Sequence, residues 1–249
     1  MRGDMKMYNK TVKNKKMDEV SLVAFKYGNS PLSANNAFWG ADSETEIDIA
    51  WLFFLISYKD RRILVDVGNG DINVFIQYGF KMRNFRAPVS LLEEYGLFPD
   101  DITDIFVTHA DFDHIGDLAL YKKANIYIQK NELENGHGLI GYNRRIITFD
   151  TSLTVLEKFQ LQCIGGHTNG SSIILFQHGE LMYVLGGDAC YVNASLEQQI
   201  PTGRTCDIAK SREFIQKFQN PGFRVLLSHE PSIVKENSVF SVLLPDPFG

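Results

Sequence analysis

Cysteine is scarce in this chain. Three thiols, Cys163, Cys190 and Cys206, stand at irregular spacing, which supports neither a disulfide framework nor a paired-thiol zinc site. Ordinary reduced residues in a cytoplasmic protein are the expectation. Long apolar runs are missing too. No stretch approaches the ~20 apolar residues needed to span a bilayer, and the lysine-rich start, Met1 to Lys16, lacks the hydrophobic region of a signal peptide. No membrane partner is therefore expected, and residues 1–19 read as a peripheral arm. A surplus of positive charge is also absent. Lys and Arg number 25 against 30 Asp and Glu, a formal net charge of −5, which argues against nucleic acid as a partner. Repeats and low-complexity tracts are lacking as well. What remains is a chain of 249 residues, 44% apolar and 22% charged, long enough to bury a sizeable core and ordinary for a globular enzyme.

Alternating local patterns fill that length. Ser21–Phe25 reads as a strand, Pro31–Asp48 as a turn-rich loop carrying Phe38 and Trp39, and Ile49–Tyr58 as a buried strand. Asp60-Arg61 makes a turn, and Ile63–Asp66 returns as the hairpin partner. Pro88–Tyr95 has helical spacing with Gly96 as its C-terminal cap. Pro99–Ile102 leads into the strand Ile105–Thr108. A helix is expected over Asp117–Lys122, a strand over Asn125–Gln129, and a helix capped by Asn131 with Glu134 three residues on. Leu153–Cys163 alternates. Ser171–Gln177 and Leu181–Leu185 form strands about a His178-Gly179 turn. Cys206–Phe218 is helical, with Ile208, Phe214, Ile215 and Phe218 on one face, and Arg224–Leu227 is the final strand. Strands interleaved with helices and no linker indicate a single domain over residues 1–249.

Chemistry concentrates after Ile105–Thr108, in His109-Ala110-Asp111-Phe112-Asp113-His114. Buried ionisable groups are expensive unless paired or metal-bound, so such density at a strand end points to metal ligation. Four of the six histidines belong to the wider set: His109 and His114 here, His167 in Gly165–Ser172, and His229 after the last strand. Asp188 follows an apolar strand in Leu185-Gly186-Gly187-Asp188. Asp66, at the end of Ile63–Asp66, could orient a ligand imidazole from behind. His137, in a Gly-flanked loop, reads as exposed, with substrate contact the alternative, and His178 as solvent-facing. Cys190, two residues past Asp188, could approach a metal, though an inert thiol is the simpler reading.

These motifs, in this order, resemble the metallo-β-lactamase superfamily. The first run is similar to its His-x-His-x-Asp-His signature, with Asp111 where the second His usually stands. The resemblance covers about Val20 to Pro231. It implies an α/β fold, an αββα sandwich of two mixed β-sheets flanked by helices. It also implies two divalent metal ions: one on His109, Asp111 and His167, the other on Asp113, His114 and His229, with Asp188 bridging. Two such ions ~3.5–4 Å apart hold a hydroxide and polarise a carbonyl, and Asp113 could relay a proton to the leaving group.

Charge counting weighs the departure at Asp111. Three carboxylates and one hydroxide give −4 against +4, where the usual His would leave +1. Carboxylates favour manganese and iron relative to their standing at imidazole-rich sites, although zinc still binds. Tolerance of Mn or Fe where relatives take Zn is therefore expected, against the alternative that one site binds weakly and only one metal is retained.

Within the superfamily the likeness is to N-acyl homoserine lactonases, through Leu91 to Ile102 and through Tyr191, three residues after Asp188. It implies a small-molecule ester or lactone substrate, with Tyr191 stabilising the oxyanion or leaving group; a Tyr packing on the site wall is the alternative. Phe38 and Trp39 would either border the substrate or pack within their loop. A phosphodiesterase and a mononuclear iron enzyme of persulfide dioxygenase type stay open as other activities. So does oligomeric state, a homodimer included.

Overall fold

Two long apolar strands set the architecture. β1 (Val20–Ser33) and β2 (Glu46–Tyr58) pair antiparallel along their full length. Alternate side chains of a strand point to opposite faces, and here both faces are buried. Trp51, Phe53 and Leu55 of β2 lie on one side, and Leu52, Phe54 and Ile56 on the other. That two-sided burial is why the segment reads as a continuous apolar run rather than an alternating one. The computed structural model describes residues 20–136 and 145–245; the basic start and His137 lie outside the described residues.

β3 (Arg61–Val65) forms the expected hairpin with β2, and β4 (Asp104–Phe106), β5 (Asn125–Gln129) and β6 (Ile146–Phe149) follow in parallel. A second sheet holds β7 (Ser152–Val155), β8 (Phe159–Cys163), β9 (Ser172–His178), β10 (Leu181–Leu185) and β11 (Phe223–Leu226), in the order β11-β10-β9-β8-β7. β12 (Phe240–Leu244) returns to the outer edge of β1, completing a seven-stranded first sheet.

Helices cover both outer faces. Among the described residues they are α1 (Ala34–Ala37), α2 (Ile72–Gln77), α3 (Pro88–Glu94), α4 (Phe112–Ile115), α5 (Lys130–Asn135), α6 (Asn193–Glu197) and α7 (Ile208–Phe218). Leu91 and Leu92 of α3 join the outer face of the first sheet. Phe214, Ile215 and Phe218 of α7 pack on Ile173, Leu175 and Val184 of the second. Between the sheets lies the central core. Phe159 crosses it, with its ring 5.4 Å from Tyr58, 5.8 Å from Phe106 and 5.5 Å from Phe176. Such a fully buried aromatic resists removal: Phe159→Ala should cost about 3–5 kcal/mol, measured as a fall in the urea midpoint at unchanged slope.

Several local expectations are corrected. β1 runs through Pro31 to Ser33, and α1 follows, so the loop before β2 is shorter than predicted. Pro31 is tolerated because β12 pairs only with Leu22–Phe25, leaving that end of β1 as an edge. Asp117–Lys122 is no helix. The helical turn comes earlier, as α4 inside the histidine motif, and only Leu118–Leu120 forms a 3-10 turn. α5 is capped by the Gln129 side chain, which accepts from the Asn131 backbone N–H, so Asn131 sits inside the helix rather than at its cap. His178 is half-buried against the Tyr183 ring instead of facing solvent. Phe38 packs on the core while Trp39 stays half-exposed.

Candidate metal centre

Five strand ends deliver the site. β3 ends in Asp66, whose φ of +58° is a left-handed backbone that non-glycine residues rarely adopt. β4 leads into His109, Asp111 and α4, the β8–β9 connection carries His167, β10 ends near Asp188, and β11 near His229. Close backbone approach draws these ends together. Gly187 has φ +52°, and a Cβ there would fall 2.8 Å from the Thr108 Cβ, so glycine lets the Asp188 turn press on the β4 end. Ala50 N–H donates to the His229 carbonyl and Leu52 N–H to that of Ser228, stitching β2 to the β11 end.

All seven residues expected from the sequence meet here. His109, His167 and Asp188 form one group whose ligand atoms lie within 4.8 Å of one another, and Asp113, His114 and His229 form a second. Asp111 stands beside the first, its Oδ2 3.2 Å from His167 Nε2 and 3.6 Å from His109 Nε2. Asp113 Oδ2 is 3.1 Å from His114 Nε2 and 3.6 Å from His229 Nε2. Asp188 turns one oxygen to each group. Its Oδ2 lies 3.9 and 3.8 Å from the Nε2 atoms of His109 and His167, and its Oδ1 lies 3.3 Å from those of both His114 and His229.

The imidazoles are held from behind by Nδ1. His167 Nδ1 faces the Arg204 carbonyl at 2.7 Å, and His229 Nδ1 the Ala50 carbonyl at 2.9 Å. A carbonyl only accepts, so both rings carry the proton on Nδ1 and keep the Nε2 lone pair. His114 Nδ1 faces Asp66 Oδ2 at 2.7 Å, so Asp66 lies behind an imidazole of the candidate set, where it was expected. The Thr108 hydroxyl donates to Asp66 at 2.8 Å, which leaves its oxygen to accept from His109 Nδ1 at 3.0 Å. In the neutral rings every Nε2 is then a lone pair turned toward carboxylates, an arrangement that calls for a cation, whether a metal ion or a proton, in its midst.

Divalent metal fits this set. Among the described residues the buried side-chain atoms without a hydrogen-bond partner include His109 Nε2, His114 Nε2 and Asp188 Oδ1, and buried polar atoms are seldom left so. The charges push titration the same way. Burial by itself would lower His114, yet the carboxylates of Asp113, Asp66 and Asp188 override it and raise it well above the usual imidazole value. Asp188 responds in reverse. Burial would raise it, and His229 and His114 hold it well below the usual carboxylate range.

Tyr191 is 5% exposed and forms part of the wall, its ring edge-on to His229 at 5.0 Å and to His167 at 5.9 Å. It opens on a recess bounded by Trp51, Phe80, Phe112 and Leu32, with Asn36 and Arg204 at the rim. Cys190 takes no part. Its buried thiol is pushed up to about 12 by its surroundings, eased only by Ser195, and it packs in the outer core beneath α7. Sequence reasoning missed the Nδ1 partners at Ala50 and Arg204, because a backbone carbonyl leaves no mark on residue identity.

The metallo-β-lactamase superfamily profile matches residues 52–229, and the chain belongs to that superfamily. A protein named a probable metallo-hydrolase from Methanocaldococcus jannaschii is 27% identical over 149 residues, covering 58% of this chain and just under two thirds, 65%, of its own length. An N-acyl homoserine lactonase of Bacillus cereus is 25% identical over 167 residues, covering 59% of this chain and 67% of its own. Among solved structures, a quorum-quenching N-acyl homoserine lactone lactonase superposes with a TM-score of 0.75 at 19% identity, covering 88% of this chain and 95% of that one. The dizinc lactonase AidC gives 0.69 at 20% identity, covering 92% and 95%. The αββα sandwich is the fold these share.

Proposed function

We propose that this chain is a divalent-metal hydrolase acting on the carbonyl of a small ester or lactone. One observation carries the reading: four imidazoles anchored through Nδ1 converge by Nε2 on a carboxylate that turns one oxygen to each pair. His109, Asp111 and His167 would hold one ion, Asp113, His114 and His229 a second, with Asp188 shared. The lactonase likeness in sequence supports the substrate class, and the recess sets the rings of Trp51, Phe80 and Phe112 against Asp111, Asp113, Asp188 and His229.

When bound, divalent ions supply Lewis acidity, polarising a carbonyl and lowering the pKa of water towards neutrality. The protein supplies the rest. Asp113 Oδ2 is turned to the imidazoles, leaving Oδ1 to take a proton from the attacking water and hand it to the departing alkoxide. Trp51, Phe80 and Phe112 exclude solvent and receive the apolar part of the substrate. Burial, reinforced by the carboxylates, pushes Tyr191 well above the usual phenol value, so it remains an O–H donor for the developing oxyanion. Tyr191→Phe should lower kcat by roughly a hundred- to a thousandfold with metal content unchanged. A kcat within twofold would reduce Tyr191 to a wall residue.

Asp111 adds a preference of metal. Three carboxylates balance all but one of the four positive charges of two divalent ions, so manganese and iron should compete with zinc better here than where a His stands at position 111. Protein expressed with all three supplied and analysed for metal tests this, and strictly zinc occupancy overturns it. Assay of the same protein against lactones, thioesters and bis-aryl phosphates tests the activity. Lactone or ester turnover is the expected result; phosphodiester turnover alone, or thiol-dependent oxygen uptake on iron, would replace it.

A further inference from the structure

The polar stretch of α5 hides a carboxylate with no place in the ligand set. Glu132 is 1% exposed and faces two loops at once. Its Oε2 accepts from the Ala110 backbone N–H at 2.8 Å. Its Oε1 accepts from the Gly170 N–H at 2.9 Å and from the Thr168 hydroxyl at 2.7 Å. Ala110 lies between His109 and Asp111, and Thr168 follows His167. The first loop leaves the seven-stranded sheet and the second leaves the five-stranded one, so a single side chain ties the two halves of the sandwich at the site. Gly170 is matched to this: a Cβ there would fall 2.7 Å from Glu132 Oε1.

We propose that Glu132 is a positioning residue that fixes the separation of His109 and Asp111 from His167, and thereby sets the cation affinity of that half of the centre alone. The inference rests on the ligand reading above. Hydrogen bonds to a carboxylate are strong ones, and three together hold the charge that burial would otherwise make costly. The other half has its own tether, the Asp66 bond to His114. Glutamine at 132 would turn an NH2 on one loop or the other, where a donor already points, so it can hold at most one of them.

Zn2+ titration against a chromophoric chelator tests this without any substrate, on the wild type, Glu132→Gln, Thr168→Val, Asp66→Asn and His167→Ala. Glu132→Gln should weaken by about 10–100-fold the ion that His167→Ala abolishes, the usual effect of losing a ligand's support, and leave the other near wild type. Asp66→Asn should weaken the other ion most and the first one less, since Asp66 also holds the Thr108 hydroxyl that accepts from His109. Thr168→Val removes one bond of three and carries the test if Glu132→Gln fails to fold: the same ion should weaken by a smaller factor. Wild-type affinity for both ions in Glu132→Gln, or an equal loss at both, would overturn the proposal and leave Glu132 as general scaffolding. A wild type that takes up no Zn2+ would instead overturn the ligand reading, and this inference with it.

Discussion

Asp188→Asn should lower kcat/KM on an ester or lactone by at least about a thousandfold, near 4 kcal/mol at 1.36 kcal/mol per decade. Asp188 turns one oxygen to each half of the candidate centre, with Oδ1 3.3 Å from His114 and His229 and Oδ2 toward His109 and His167. An amide there loses the charge and turns a donor on one pair of imidazoles. The variant should retain at most one ion, by elemental analysis, while its circular dichroism stays native, because Asp188 lies outside the apolar clusters that hold the sheets. Full metal content with activity within tenfold of wild type would remove the shared-carboxylate role.

Stripping the ions should both destabilise the protein and change how stability depends on pH. In the ion-free state the carboxylates outweigh the lowering effect of burial and raise His114, His167 and His229. Their contribution is full below the unfolded imidazole value near 6.5 and drains away as pH climbs through the raised folded values. Asp111 and Asp188 are lowered: burial opposes this, and hydrogen bonds and charge from the histidines prevail. Their contribution is present above the unfolded value near 3.8 and fades as pH falls through the lowered ones. Ion-free protein should therefore be most stable between about pH 4 and 6.5 and weaker at pH 8.5.

Ion binding needs neutral imidazoles, so loaded protein gains as pH rises. Each site filled at a thousand times Kd adds ~4 kcal/mol, and ~2–4 °C per kcal/mol gives a Tm difference above about 10 °C. Thermal unfolding at pH 5.5, 7 and 8.5, with and without chelator, should show that difference widening with pH. A constant or narrowing one counts against the site.

The convergence of the seven candidate ligands was legible because their residue types are rare and clustered. Four of six histidines and three aspartates gathered at strand ends suit little besides cation binding, and Asp66 could be placed behind an imidazole by the same logic. The sandwich was legible through family likeness and through β2, whose two buried faces leave a long apolar run. Other parts left weaker traces. α4 spans only Phe112–Ile115, too short for a helical period to register, and its residues were read for their ligand types instead. β12 sits at an edge with Phe240 and Val242 exposed. Glu132 lies in Lys-Asn-Glu-Leu-Glu-Asn, which reads as a solvated helix; only tertiary packing distinguishes it from Glu134, the acid to which the capping pattern points.

Two of the four imidazoles are steered by main-chain oxygens, at Ala50 and Arg204. Any amino acid offers that same oxygen, so exchange of the side chain at 204 leaves the aim of His167 untouched. Yet the Arg204 side chain stands at the rim of the recess. Descendants of this chain can thus vary the side chains around the recess while the aim of His167 and His229 is inherited unaltered.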